Sequence, residues 1–98
     1  MPETLRQKQT RFVWMTAALI IHARTVGYEL TEANTKLEDY AKHKPNGKHP
    51  LALAKDWNLF VDGKWMSTTE AHKPLGEYWE SIGGTWGGRR ADGNHYEL

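Results

Sequence analysis

The sequence predicts an α+β domain in which a small antiparallel sheet is flanked by helices. Apolar residues recur at helical spacing near the start of the chain and again after Thr68. Between those segments an Asp62-Gly63 pair separates two apolar runs, a strong hairpin signal because both turn residues accept positive φ. The resulting order is helix, strands with a hairpin, helix and terminal strand, which is not an alternating βαβ pattern. At 98 residues a single hydrophobic core is the norm, so 1–98 reads as one domain.

Taken in order, Pro2 to Val26 forms the first helix, with Phe12, Met15, Leu19, Ile20 and Ala23 on one stripe. Gly27 is its stop, since glycine tolerates the left-handed conformation needed there. Tyr28 to Thr31 forms a short strand. Glu32 to Lys48 is polar, with a short helix or ordered loop within Ala33 to Ala41 and a Pro45-Asn46-Gly47 turn signal. Leu51 to Val61 is a strand that returns through Asp62-Gly63 to Lys64-Trp65-Met66. Period-2 alternation puts Asp56 on the same face as Asn58 and Phe60. Thr68 or Thr69 caps a second helix with Pro74 in its early part; Leu75, Tyr78, Trp79 and Ile82 supply its apolar face. Gly83-Gly84 ends that helix, and Thr85 to Leu98 is a glycine-rich turn leading into a final short strand.

Composition removes several function classes. Thirteen Lys and Arg nearly balance twelve Asp and Glu, so no strong overall field favours nucleic acid or stable membrane association. Without cysteine there is no disulfide framework and no thiolate metal site, so any metal is held by His and carboxylate. Five tryptophans suit core and cleft wall, with Trp57, Trp65 and Trp79 assigned to the core. No stretch approaches the roughly 20 apolar residues that cross a bilayer. Phe12 to Ile21, after Arg6, Lys8 and Arg11, superficially copies a signal peptide, but His22 and Arg24 follow at once and no A-x-A site appears. The expectation is a soluble monomer made in the cytoplasm without a signal peptide.

One constellation can carry chemistry. His49 lies just before the long strand and Asp56 within it, so a loop histidine folding back can share a metal with an inward carboxylate. His95, on the final strand, is the natural third ligand. Zinc accepts imidazole nitrogen and carboxylate oxygen, and catalytic sites commonly use three protein ligands. An Asp92-Gly93-Asn94-His95 turn would put the Asp92 carboxylate beside a metal-bound water while His95 holds the metal. The same spacings also fit a loop histidine, an edge-strand charge and a turn former.

The segment His49-Pro-Leu-Ala-Leu-Ala-Lys-Asp56-Trp-Asn-Leu-Phe60 resembles the H-x6-D segment of the zinc D-Ala-D-Ala carboxypeptidase and L-alanyl-D-glutamate endopeptidase family (VanY-like), whose phage members are endolysins. The likeness continues through Asp62-Gly-Lys64, Pro74-Leu-Gly-Glu-Tyr-Trp79, Gly83-Gly-Thr-Trp-Gly-Gly88 and Asp92-Gly-Asn-His95. Lys8-Gln-Thr-Arg-Phe12 and Gly27-Tyr-Glu-Leu-Thr31 are similar to the family's opening helix and strand. The resemblance implies a Hedgehog/DD-peptidase-like fold, a Zn2+ site at His49, Asp56 and His95, and Asp92 as general base at the first position of the E/D-x-x-H motif. It implies a metallopeptidase acting on peptidoglycan stems, with an endolysin's place in host lysis and release to the wall through a holin-type pore. A D-Ala-D-Ala carboxypeptidase or dipeptidase, and a non-catalytic wall-binding module, are the alternatives.

Three positions depart from the family pattern. Gly47 stands where a serine is common, Lys36 replaces an arginine that binds substrate carboxylate, and Lys55 replaces an apolar residue. Elsewhere, His22 reads as a helix-terminal or packed residue, and His43 and His72 as solvated. Trp86 lines the cleft or packs, Glu97 is a partner of the metal ligands or an alternative base, and Arg89 and Arg90 are loop residues near the site.

Overall fold

A computed structural model of the chain describes residues 2–33 and 47–98. Helix α1 spans Leu5–Thr25, β1 Tyr28–Glu32, β2 Ala54–Val61, β3 Lys64–Met66, α2 Thr69–Ser81, β4 Thr85–Trp86 and β5 His95–Glu97, with a 3-10 turn at Gly87–Arg90 before β5. The fold is α+β and comprises, among the described residues, an open antiparallel sheet of five strands and two α-helices. The proposed helix or loop at Ala33 to Ala41, the Pro45-Asn46 part of the turn signal, Lys36 and His43 lie outside the described residues, apart from Ala33.

Local chemistry accounts for each boundary. Thr4 and Gln7 form a reciprocal capping box that satisfies two orphan donors at the start of α1. Gly27, at φ +84°, turns the chain out of that helix into β1. Thr68 caps α2 by accepting a hydrogen bond from the Ala71 amide at 3.1 Å. At the hairpin, Asp62 and Gly63 both take positive φ, 52° and 77°, as a two-residue turn demands.

Strand β2 is the spine of the sheet. Along one edge it pairs with β1, from Tyr28↔Val61 to Glu32↔Trp57. Its other edge is shared by β3 at Leu59–Val61 and β5 at Ala54–Asp56, and β4 pairs with β5 beyond. Trp57 and Leu59 of β2 and Tyr96 of β5 point into the core, where both helices pack. Phe12 of α1 meets Trp79 of α2 edge-on at 5.7 Å, and Trp79 meets Tyr96 edge-on at 6.1 Å. By alternation Asp56, His95 and Glu97 face the opposite side of the sheet, and the register places Asp56 directly across from His95.

Four expectations are corrected. Ile20 is 43 % exposed, because it sits about 100° around the helix from the buried Leu19. Trp65 is 64 % exposed: the two-residue turn pairs it with Phe60, on the sheet face turned away from the helices. His72 is buried, not solvated, because it falls in line with Leu75, Gly76 and Trp79 on the core stripe of α2. Its Nδ1 lies 2.9 Å from the Tyr96 hydroxyl, which satisfies both buried polar groups. The long strand begins at Ala54 rather than Leu51, since residues 47–52 form a turn closed by Leu53 N–H donating to the Lys48 carbonyl at 2.8 Å.

Candidate metal centre

The turn before β2 is what carries His49 back over the sheet. Ala52 N–H donates to the His49 carbonyl at 3.0 Å, and Ala52 itself takes φ 58°, so the chain reverses sharply before entering the strand. His49 thereby reaches the Asp56–His95 pair. His49 Nε2 lies 3.1 Å from His95 Nδ1, His95 Nδ1 lies 3.0 Å from Asp56 Oδ1, and Asp56 Oδ1 lies 3.4 Å from His49 Nε2. The three residues form a group able to hold a metal ion, with both histidines buried and Asp56 partly so.

The triangle fits a tetrahedral ion. Ligand bonds of about 2.0–2.1 Å to zinc at tetrahedral angles imply ligand separations of about 3.3 Å, close to the three edges observed. The donor set, two imidazole nitrogens and one carboxylate oxygen, is one that zinc and other borderline divalent ions accept. Proton placement points the same way. His95 Nε2 lies 2.9 Å from Glu97 Oε1, so a neutral His95 donates its single N–H there. That turns the Nδ1 lone pair of a neutral His95 toward both His49 Nε2 and Asp56 Oδ1, the position that a shared proton or a bound cation would occupy.

The electrostatics agree with this division. Burial lowers the His49 pKa, more than Asp56 raises it, which favours the neutral imidazole that a metal ligand requires. Burial also opposes a proton on His95, but hydrogen bonds to the carboxylates of Asp56 and Glu97 outweigh it and the pKa is raised. Burial of Glu97 disfavours its ionisation, yet Arg90 and His95 hold its carboxyl below the ordinary carboxylate value. Arg90 bonds Glu97 Oε1 at 3.0 Å, completing a line from Arg90 through Glu97 and His95 to the triangle.

The Asp92–His95 turn is fixed from behind. Trp86 is buried and donates its indole N–H to the Gly93 carbonyl at 2.7 Å, so it packs and anchors instead of lining the cleft. Gly93 N–H donates to Thr69 Oγ1 at 3.2 Å, and Asp92 N–H to the Gly87 carbonyl at 3.0 Å. A side chain at Gly87 would strike the Asp92 carbonyl and the His95 Cβ, so this close approach requires glycine. On the core side, Trp79 donates to the Glu97 carbonyl at 2.8 Å and ties β5 to α2.

A cleft of about 340 Å³ opens at the triangle, lined by Lys48, His49, Arg90, Asp92, His95 and Glu97, with Gly47 at its edge. His49, Asp56 and His95 are thus brought together as the spacing predicts, and exposed Asp92 stands in the same cleft. Glu97, left open between two roles, is the hydrogen-bond partner of His95. Arg90 was read as a loop cation; its place in the site had no sequence signal beyond proximity. Arg89 instead pairs with Glu80 at 2.7 Å and lies over Trp86. Lys55 pairs with Glu32 and lies 5.8 Å from the Trp57 ring centroid. His22 stacks on Tyr78 with ring centroids 3.9 Å apart.

No protein-family model matches the chain, and neither a curated protein nor a solved structure is significantly similar to it.

Proposed function

We propose that the protein is a zinc-dependent peptidoglycan hydrolase of the endolysin type, cleaving the L-alanyl-D-glutamate bond of peptide stems. The observation that carries the reading is the His49–Asp56–His95 triangle opening on a cleft that also holds Asp92. His49 Nε2, Asp56 Oδ1 and His95 Nδ1 are the atoms that would hold the ion. When bound, zinc supplies Lewis acidity, polarising a peptide carbonyl and acidifying water.

The chain's own groups supply the remainder. Asp92, exposed in the cleft, accepts a proton from the attacking water and passes it to the leaving amine. Glu97 fixes the His95 ring with Nε2–H toward itself and Nδ1 toward the triangle. Lys48 brings a cation to the rim of the cleft, where it can meet a carboxylate of the substrate. In this reading the protein is made in the host cytoplasm, reaches the wall through a holin-type pore, and acts there as a monomer.

The test is mass spectrometry of purified peptidoglycan digested by the protein, with chelator and zinc add-back. Fragments carrying a new N-terminal D-glutamate, lost on chelation and restored by zinc, are expected. Free D-alanine would move the assignment to a carboxypeptidase, and zinc binding without cleavage would leave a non-catalytic module.

A further inference from the structure

Helix α1 has two apolar faces. Its inner stripe, Phe12, Met15, Leu19 and Ala23, is buried in the core. On the outer side Val13, Trp14, Ile20 and Ile21 are 64, 70, 43 and 66 % exposed, and Ala17 between them is exposed too. Their spacing of i, i+1, i+4, i+7 and i+8 makes one continuous stripe. Exposed Arg6 and Arg24 fall on the same line of the helix, one at each end and about 27 Å apart. The helix carries Arg6, Lys8, Arg11 and Arg24 and no acidic residue. Glu3, just before it, is paired with Arg11 at 2.8 Å.

This charge pattern selects the occupant. A second copy packed on the stripe sets arginine against arginine in either orientation: Arg6 meets Arg24 when the helices are antiparallel, and each meets itself when they are parallel. An anionic bilayer surface has no such conflict. Its phosphates meet Arg6 and Arg24, the aliphatic side chains enter the boundary between headgroups and acyl chains, and Trp14 takes the interfacial position that indole prefers. No described helix is long and apolar enough to cross a membrane, so the contact is one of lying on the surface. Because α1 packs on the sheet face opposite Asp56, His95 and Glu97, docking leaves the cleft open to water.

We propose that the outer face of α1 docks on the surface of an anionic lipid bilayer. The formal net charge of only +1, which argued against membrane association, conceals a helix with no acidic residue and an exposed arginine at each end of its outer stripe. This inference does not depend on the metal reading.

The experiment is sedimentation of the full chain with vesicles of phosphatidylcholine alone and of phosphatidylcholine with one-quarter phosphatidylglycerol, at low and high salt. Binding is expected to the anionic vesicles at low salt, and to weaken at high salt and on neutral vesicles. Arg6→Gln/Arg24→Gln should bind about thirtyfold more weakly, at about five- to sixfold per cation. Trp14→Glu/Ile21→Glu, at positions whose exposure leaves the core intact, should lose binding while keeping the wild-type circular dichroism spectrum. Failure of the folded wild type to bind anionic vesicles would overturn the proposal, as would undiminished binding by Trp14→Glu/Ile21→Glu. A wild-type dimer in light scattering that this variant converts to a monomer would make the face a self-interface instead and equally overturn it.

Discussion

Glu97 provides the sharpest quantitative test of how the site is built. It receives the His95 Nε2 proton at 2.9 Å, is held by Arg90 at 3.0 Å, and leaves only 15 % of its side chain exposed. Replacing the partner of a metal-ligating histidine typically costs 10–100-fold in metal affinity, about 1.4–2.7 kcal/mol. The two ends of that range correspond to two substitutions. Glu97→Gln keeps an oxygen for the Nε2–H but loses the charge, and a charge-assisted hydrogen bond is about twice as strong as a neutral one, so about tenfold is expected. Glu97→Ala removes the acceptor and leaves Arg90 facing the ring, so about a hundredfold is expected. Zinc affinity is read by competition against a chromophoric chelator, with folding checked by circular dichroism. A zinc Kd for folded Glu97→Ala within twofold of wild type would refute the tautomer argument, while the zinc site itself could still stand.

Zinc affinity should also fall with pH. The folded pKa of His95 is raised, so its proton stabilises the metal-free fold below the unfolded value near 6.5, and that stability is lost as pH rises through the folded value. Since zinc needs Nδ1 without its proton, Kd should rise about tenfold per pH unit below the folded pKa, and a flat profile would contradict this. Asp92→Ala should abolish peptidoglycan cleavage yet bind zinc as the wild type does; full activity in that variant would remove Asp92 as base. Trp86→Phe deletes the donor to the Gly93 carbonyl in a buried setting and should cost about 1–3 kcal/mol in urea unfolding, whereas no change would mean the turn is held otherwise. Gly87→Ala should be more damaging to zinc affinity than to far-UV circular dichroism, because its Cβ meets the very turn that delivers His95.

Much of the fold was legible because local signals and tertiary packing agree. The Asp62-Gly63 hairpin, the Gly27 exit and the Thr68 cap each follow from backbone geometry that few residues permit. At the centre, alternation placed Asp56 with Asn58 and Phe60, and the structure turns that face away from the core rather than inward, with the loop at His49 folded back over it. What was missed has a common cause: periodicity locates a face but not what covers it. Trp65 follows the hairpin register onto the sheet face away from the helices, and Ile20 belongs to the outer stripe of α1 rather than the inner one. His72 occupies a core position that composition marks as polar, and only its pairing with Tyr96 explains how it is tolerated. Arg90 could not be assigned to the site from its spacing, because the 3-10 turn at Gly87–Arg90 decides where its side chain lies.

His49, Asp56 and His95 are proposed to hold one divalent ion together. Native mass spectrometry of the zinc-loaded chain, run beside His49→Ala, Asp56→Ala and His95→Ala, tests this directly. One zinc per wild-type chain, lost or greatly weakened in all three variants and retained in Asp92→Ala, is the predicted result. A wild type that binds no zinc, or a His95→Ala chain that keeps it undiminished, would contradict the metal centre and the proposed function built on it.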